Sequence, residues 1–179
     1  MPQVYATVYD GTSVLVFTKN AHSNFFQGKG SGGAIVHGPK KCCFPGGGLS
    51  PQDQAGRSPK EARIAGARRE FLEETGFTLP AEPTVSFTNP QNASCHFFLL
   101  PAGVTLEQVR TEIAAQLALA NSDDWQQAIT NDTLHIRDNE LASVAVVPWS
   151  DLPGGFFPVD DDDVDWFRGF VAEMKQFIP

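Results

Sequence analysis

The chain opens with two short runs of β-branched and aromatic residues, 4–9 (VYATVY) and 13–18 (SVLVFT), separated by Asp10-Gly11-Thr12. That pattern predicts a hairpin with a tight turn. Residues 20–33 are rich in Asn, Ser and Gly and read as a loop. Residues 34–36 and 41–44 have strand character, and Pro45-Gly46-Gly47-Gly48 then breaks the pattern. Residues 49–57 (LSPQDQAGR) are polar and turn-prone. A helix start follows: Ser58 can N-cap, Pro59 suits the first helical position, and Glu61 completes a capping box. The helix is expected to run to Thr75, with Gly76 as its stop. Residues 84–88 and 94–100 read as strands around the turn 89–92. Thr105 to Gln108 forms a second capping box, after which Leu106, Val109, Ile113 and Leu117 recur at helical spacing. Residues 121–139 show no clear period. Residues 141–147 read as a strand ended by Pro148. A last helix begins in the acidic run 160–163, with Val164, Phe167, Phe170, Met174 and Phe177 as its apolar stripe. The order predicts one mixed α/β domain over residues 1–179, with a sheet covered by helices.

Placed on a helix, Glu70, Glu73 and Glu74 fall within an arc of roughly 100°. Ile64, Phe71 and Leu72 would face the sheet. The glutamates occupy the last two turns, where the helix dipole is negative and each is disfavoured by a few tenths of a kcal/mol. A cluster of this kind taken alone is a solvated face screened by Arg63, Arg68 and Arg69. Two neighbours shift the reading. The glycine triplet leaves backbone bare to a metal or phosphate, and Gly66 within the helix suggests a close approach. A divalent cation bound by the cluster would reverse the electrostatic argument.

The composition narrows the partners. Thirteen basic and twenty-one acidic residues give a formal charge of −8. No Lys/Arg-rich run exists to grip duplex nucleic acid, so an anionic substrate needs local neutralisation. Cys42, Cys43 and Cys95 form neither a disulfide framework nor a zinc pattern. The sequence shows no signal peptide and no membrane-length apolar run, so a cytoplasmic protein is expected. The acidic run 160–163 with Asp165 lacks the glycine and glutamate of a calcium loop.

Gly-Gly-Gly-Leu followed by Arg69-Glu70-Phe71-Leu72-Glu73-Glu74-Thr75-Gly76-Phe77 resembles the Nudix box, G-x5-E-x7-R-E-U-x-E-E-x-G-U with U apolar. The fixed residues of its second half all match. The resemblance covers residues 46–77. It implies a Nudix-like mixed β-sheet sandwiched between helices, and hydrolysis of a nucleoside diphosphate linked to another moiety, with Mg²⁺ or Mn²⁺. It assigns Glu70 and Glu74 as metal ligands, Glu73 as a further ligand or the group that orients water, and Arg69 as the residue that holds a glutamate by a bidentate contact. The carbonyl of Gly47 or Gly48 would complete the shell, with Glu140, then Asp138, as a later acidic ligand. Lys41 and Arg57 are candidate phosphate contacts. The partner expected is a small nucleotide derivative, with no duplex nucleic acid and no membrane; a homodimer is compatible with this. The alternatives are a Nudix-like domain that binds a nucleotide without cleaving it, and a metal-free acidic domain that contacts proteins.

The first half of the box departs from the pattern. Glu61 lies eight before Arg69, but Gly48 lies thirteen before Glu61, about seven too many. In a second register Gly56-Arg57 precedes Ser58-Pro59 and Arg57 replaces the glutamate; this register is preferred, because Glu61 already serves the capping box. Loop 49–57 has no large apolar residue after Leu49. It is therefore expected to be mobile without ligand and to close over the substrate, with Arg57 on a phosphate.

Overall fold

The computed structural model describes residues 2–23, 34–35, 42–88 and 92–152. The opening hairpin forms from β1 (Gln3–Tyr9) and β2 (Ser13–Lys19). Asp10 Oδ1 ties the turn by accepting from the backbone N–H groups of Thr12 and Ser13 and from Thr12 Oγ1. Gly11, with φ of 93°, supplies the left-handed residue that the turn needs. The pairing of β1 with β2 is confined to the turn end, where Tyr9 faces Val14. Beyond it the two strands part, and residues 42–48 enter the wedge.

The lower arm of that wedge corrects the sequence reading. Cys42–Cys43 (β5, after the short pair β3, His22–Ser23, and β4, Ala34–Ile35) joins β2. The glycine triplet is not a break but a strand, β6 (Gly46–Gly48), antiparallel to β1. Close approach explains the glycines. A Cβ on Gly46 would stand 2.1 Å from the Val4 carbonyl oxygen, and one on Gly47 would stand 2.8 Å from a Glu70 carboxylate oxygen. The segment 20–33, read as loop, contributes the β3 residues.

Two further strands and an edge complete the main sheet. β7 (Val85–Thr88) pairs with β8 (Ala93–Leu99), and β8 runs parallel to β1 over its whole length. β9 (Leu141–Pro148) pairs antiparallel with β2 on its other side. The result is a mixed seven-stranded sheet with helices against it. The last helix expected from the sequence lies outside the described residues, as does Lys41.

α1 (Pro51–Gln54) and α2 (Pro59–Thr75) follow the triplet. α2 begins and ends as its sequence predicts. Ser58 and Glu61 make the reciprocal capping box, and Gly76, with φ of 73°, stops the helix with its N–H on the Leu72 carbonyl. Its inner stripe includes Ile64, Gly66, Ala67 and Phe71, and Phe71 stands edge-on to Phe17 of β2 at 5.9 Å. Burying a ring of that size contributes about 2–3 kcal/mol. A Cβ on Gly66 would meet Leu49 at 2.5 Å, Asp53 at 3.2 Å and Val4 at 3.3 Å, so the close approach suggested by Gly66 is real. α3 (Leu106–Ala120) carries the predicted capping box and buried stripe. α4 (Trp125–Thr130) occupies part of the stretch that had no period. Tyr9, Phe44, Phe97 and Trp149 form an aromatic cluster with centroids 5.7–6.4 Å apart. No helix among the described residues is long and apolar enough to cross a membrane.

One buried polar group gives the fold a measurable acid limit. His96 on β8 is 2% exposed, with Nδ1 2.8 Å from Ser86 Oγ. Burial, with help from Arg63 and Lys60, lowers its pKa to about 4. The folded value lies below the unfolded value of about 6.5, so the unfolded chain binds more protons between them. Stability is expected to fall as pH drops from about 6.5 towards 4, by an amount on the order of 3 kcal/mol. The Tm of the wild type minus that of His96→Phe, followed across this range, reads the effect. A difference independent of pH would contradict it.

Candidate metal centre

The carboxylates of α2 do not share one solvated face. Glu74 is 3% exposed and accepts a 2.9 Å hydrogen bond from Gly46 N–H. The reason lies in helix geometry: Glu74 follows Phe71 by three residues and shares its inner side. Glu70 and Glu73 are only partly buried. Glu70 lies against Gly47, which lacks the side chain that would collide with it.

Arg69 organises the cluster. Its Nε lies 3.2 and 3.3 Å from the two oxygens of Asp53, and its Nη2 lies 3.0 Å from Asp53 Oδ2. The same guanidinium reaches Glu70 at 2.8 Å, Glu73 at 2.9 Å and the Gly48 carbonyl at 3.1 Å. Sequence reading expected a bidentate contact to a glutamate; the bidentate partner is Asp53, and Asp53 had not been singled out. Burial pushes the Asp53 carboxyl up, but the hydrogen bonds from Arg69 and Ser50 outweigh it and hold its pKa below the usual value.

Asp53 also offers a third register for the motif that the sequence resembles. It lies six residues after Gly47, the glycine-to-acid spacing of the box. It then lies sixteen before Arg69, where the pattern has eight. In that register the extra eight residues fall between acid and arginine. The residues of the two registers drawn from the sequence have local partners instead. Glu61 is exposed and bonded to Ser58, and serves the helix cap. Arg57 donates to the carbonyls of Gln52 and Asp53 and so closes its own loop. The expectation of an unanchored loop 49–57 fails as well. Ser50 and Asp53 cap α1 reciprocally, and the partly buried Asp53–Arg69 pair pins α1 to α2. The loop has no large apolar side chain after Leu49, and its anchor is ionic.

The segment before β9 brings further acids to the end of α2. Arg137 N–H donates to the Glu73 carbonyl at 2.7 Å, fixing the two elements together. Arg137 Nη1 also contacts Glu73 Oε1 at 3.2 Å. Asp138 and Glu140 follow; Glu140 N–H bonds Asp138 Oδ1, and Glu140 faces Lys19 at 3.8 Å. Both late candidates from the sequence therefore stand in the electrostatic field of the α2 carboxylates. Burial is the chief cause of a pKa well above normal for Glu74, with Asp138, Glu140 and Glu70 adding repulsion. Burial and then Glu140 raise Asp138 to about 7. Glu70 is also raised, by burial, although Arg69 opposes this.

Among the described residues six carboxylates (Asp53, Glu70, Glu73, Glu74, Asp138, Glu140) stand with three cations (Lys19, Arg69, Arg137), a formal excess of three negative charges when all are ionised. Hard oxygen donors in excess of their counter-charges suit Mg²⁺ or Mn²⁺. As they stand, no three or more His, Cys, Asp or Glu side chains among the described residues are arranged to hold an ion. The donors fit a divalent cation in type and charge but are not gathered around one. The Gly48 carbonyl, a candidate ligand, faces Arg69, which makes it a poor one; Gly47 borders Glu70.

No protein-family model matches this sequence, and no curated protein matches it. Solved structures of MutT/Nudix proteins match it over nearly its full length at low identity. A MutT protein from Methanosarcina mazei Go1 aligns over 98% of this chain and 93% of its own, at 18% identity and a TM-score of 0.46. A mutT/nudix family protein from Listeria innocua aligns over 99% and 98%, at 17% identity and 0.42. MutT from Aliivibrio salmonicida and Vibrio cholerae aligns over 97% of each chain, at 19% identity and 0.40.

Proposed function

We propose that the chain is a metal-dependent hydrolase of the Nudix type, which cleaves the pyrophosphate bond of a nucleoside diphosphate linked to another moiety. The observation that carries this reading is the joining of segment 137–140 to the end of α2 through the Arg137 N–H and the Glu73 carbonyl, which puts Asp138 and Glu140 in the field of Glu74. A fold built for stability alone would not gather these charges at a helix C-terminus. Glu70, Glu74 and Glu140 would hold the cation, with Asp138 beside them. When bound, it would neutralise the diphosphate and lower the pKa of an attacking water. Arg69 holds Glu70 and Glu73 in place and is itself fixed by Asp53. Glu73 would orient the water or accept its proton.

A second reading, nucleotide binding without cleavage, draws on one observation: both Glu73 oxygens are engaged by arginines. A panel of nucleoside diphosphate derivatives, assayed for mononucleotide release with and without Mg²⁺, separates the two. Mg²⁺-dependent release supports the hydrolase. Binding of the panel with no release supports the second reading.

The charge excess also predicts a pH-dependent response to metal. Asp138 has a folded pKa near 7, above its unfolded value, so its contribution to stability is full at low pH and is lost as pH rises through about 7. Glu70 and Glu74 act in the same direction. A cation that offsets this repulsion should therefore raise Tm more at about pH 8 than at about pH 5.5. Equal Tm increments at the two pH values would contradict the assignment.

A further inference from the structure

Glu73 is held from both sides in this structure, and its two arginines are not equivalent. Arg69 takes Oε2, and it also bonds Asp53, Glu70 and the Gly48 carbonyl. Its side chain is 28% exposed. Arg137 takes Oε1, its side chain is 55% exposed, and Glu73 is its one side-chain partner among the described residues. Its backbone cannot drift, because its N–H is bonded to the Glu73 carbonyl. Arg137 is thus a solvent-facing guanidinium based at the acidic cluster and held by one contact.

We propose that Arg137 is a substrate-binding residue, parked on Glu73 until a cation enters and then turned to a phosphate of the substrate. This rests on the hydrolase or nucleotide-binding reading of the site. A cation held by Glu70, Glu74 and Glu140 brings positive charge beside Glu73 and weakens its hold on Arg137. The incoming diphosphate then needs a donor where the described side chains are mostly acidic. Arg69 already bonds Asp53, Glu70, Glu73 and the Gly48 carbonyl and is the less exposed of the two arginines, and Lys19 faces Glu140. A planar fork of N–H donors matches phosphate oxygens better than any other side chain. The half-exposed pair with Glu73 has little to lose when it opens.

Binding measurements on Arg137→Ala and Arg137→Lys test this without reference to turnover. The ligands are Mn²⁺ alone, and then methylenediphosphonate, which cannot be hydrolysed at its bridge, on the Mn²⁺-loaded protein. For Arg137→Ala the expected result is Mn²⁺ affinity equal to or tighter than wild type, and methylenediphosphonate affinity weaker by about 10-fold or more, about 1.4 kcal/mol. Arg137→Lys should recover part of the loss. Weaker Mn²⁺ binding with unchanged diphosphonate affinity would overturn the proposal and make Arg137 a brace for Glu73. A wild type that binds neither ligand would overturn the reading of the site itself. A wild type that binds both but releases no mononucleotide would overturn hydrolysis and leave the role of Arg137 to these affinities.

Discussion

Glu74→Gln is expected to remove Mg²⁺-dependent turnover and to make the metal-free protein more stable. Loss of a group that only orients a metal ligand costs about 10–100-fold, so loss of the buried ligand should cost at least about 100-fold. The fold should survive. Gln can still accept from Gly46 N–H through its amide oxygen, and the side chain keeps its size. Stability in EDTA at about pH 8 should rise, because a buried carboxyl repelled by Asp138, Glu140 and Glu70 has been replaced by a neutral group. For a chain of this length each kcal/mol gained raises Tm by about 2–4 °C. Turnover measured at saturating Mg²⁺, paired with thermal unfolding in EDTA, checks both parts. Near-normal turnover, or a fall in Tm in EDTA, would count against the assignment.

The second large effect concerns Asp53 and Arg69. Asp53 is 5% exposed and Arg69 partly exposed, so this ion pair lies between a surface and a buried one. Removing one partner of a buried pair costs about 3–5 kcal/mol, and screening at the arginine brings the expectation for Asp53→Ala to about 2–3 kcal/mol. Arg69→Ala should cost more, because Asp53, Glu70 and Glu73 all lose their counter-charge. The two effects should be strongly non-additive in the double variant, because each removes the same contact. Denaturant unfolding of the four proteins gives the coupling energy. A coupling near zero would mean that Asp53 does not act through Arg69, and that the box register drawn here is wrong.

What could be read from the sequence depended on how local each signal was. The hairpin turn, both capping boxes and the Gly76 stop are set by neighbours within four residues, and the structure reproduces them. The strand character of the glycine triplet was not legible, because glycine has no strand preference. It forms β6 only because β1 and β2 splay and leave a wedge that admits a bare backbone. The burial of Glu74 could have been read from its three-residue spacing to Phe71, had charge not argued for solvent. Asp53 left a usable signal in its distance from Gly47. It is obscured because the spacing from Asp53 to Arg69 is eight longer than the pattern's and the pattern has glutamate there. Arg137 carried no signal at all, since it meets Glu73 across 64 residues.

The central claim is that the carboxylates at the end of α2, with Asp138 and Glu140, bind a divalent cation. The most direct test is a Mn²⁺ titration followed by electron paramagnetic resonance, on wild type and on Glu74→Gln, at a pH above the folded pKa of Asp138 of about 7. The account predicts saturable loss of the free Mn²⁺ signal for the wild type and a much weaker loss for the variant. Identical titrations for the two proteins, or no uptake by the wild type at millimolar Mn²⁺, would contradict it.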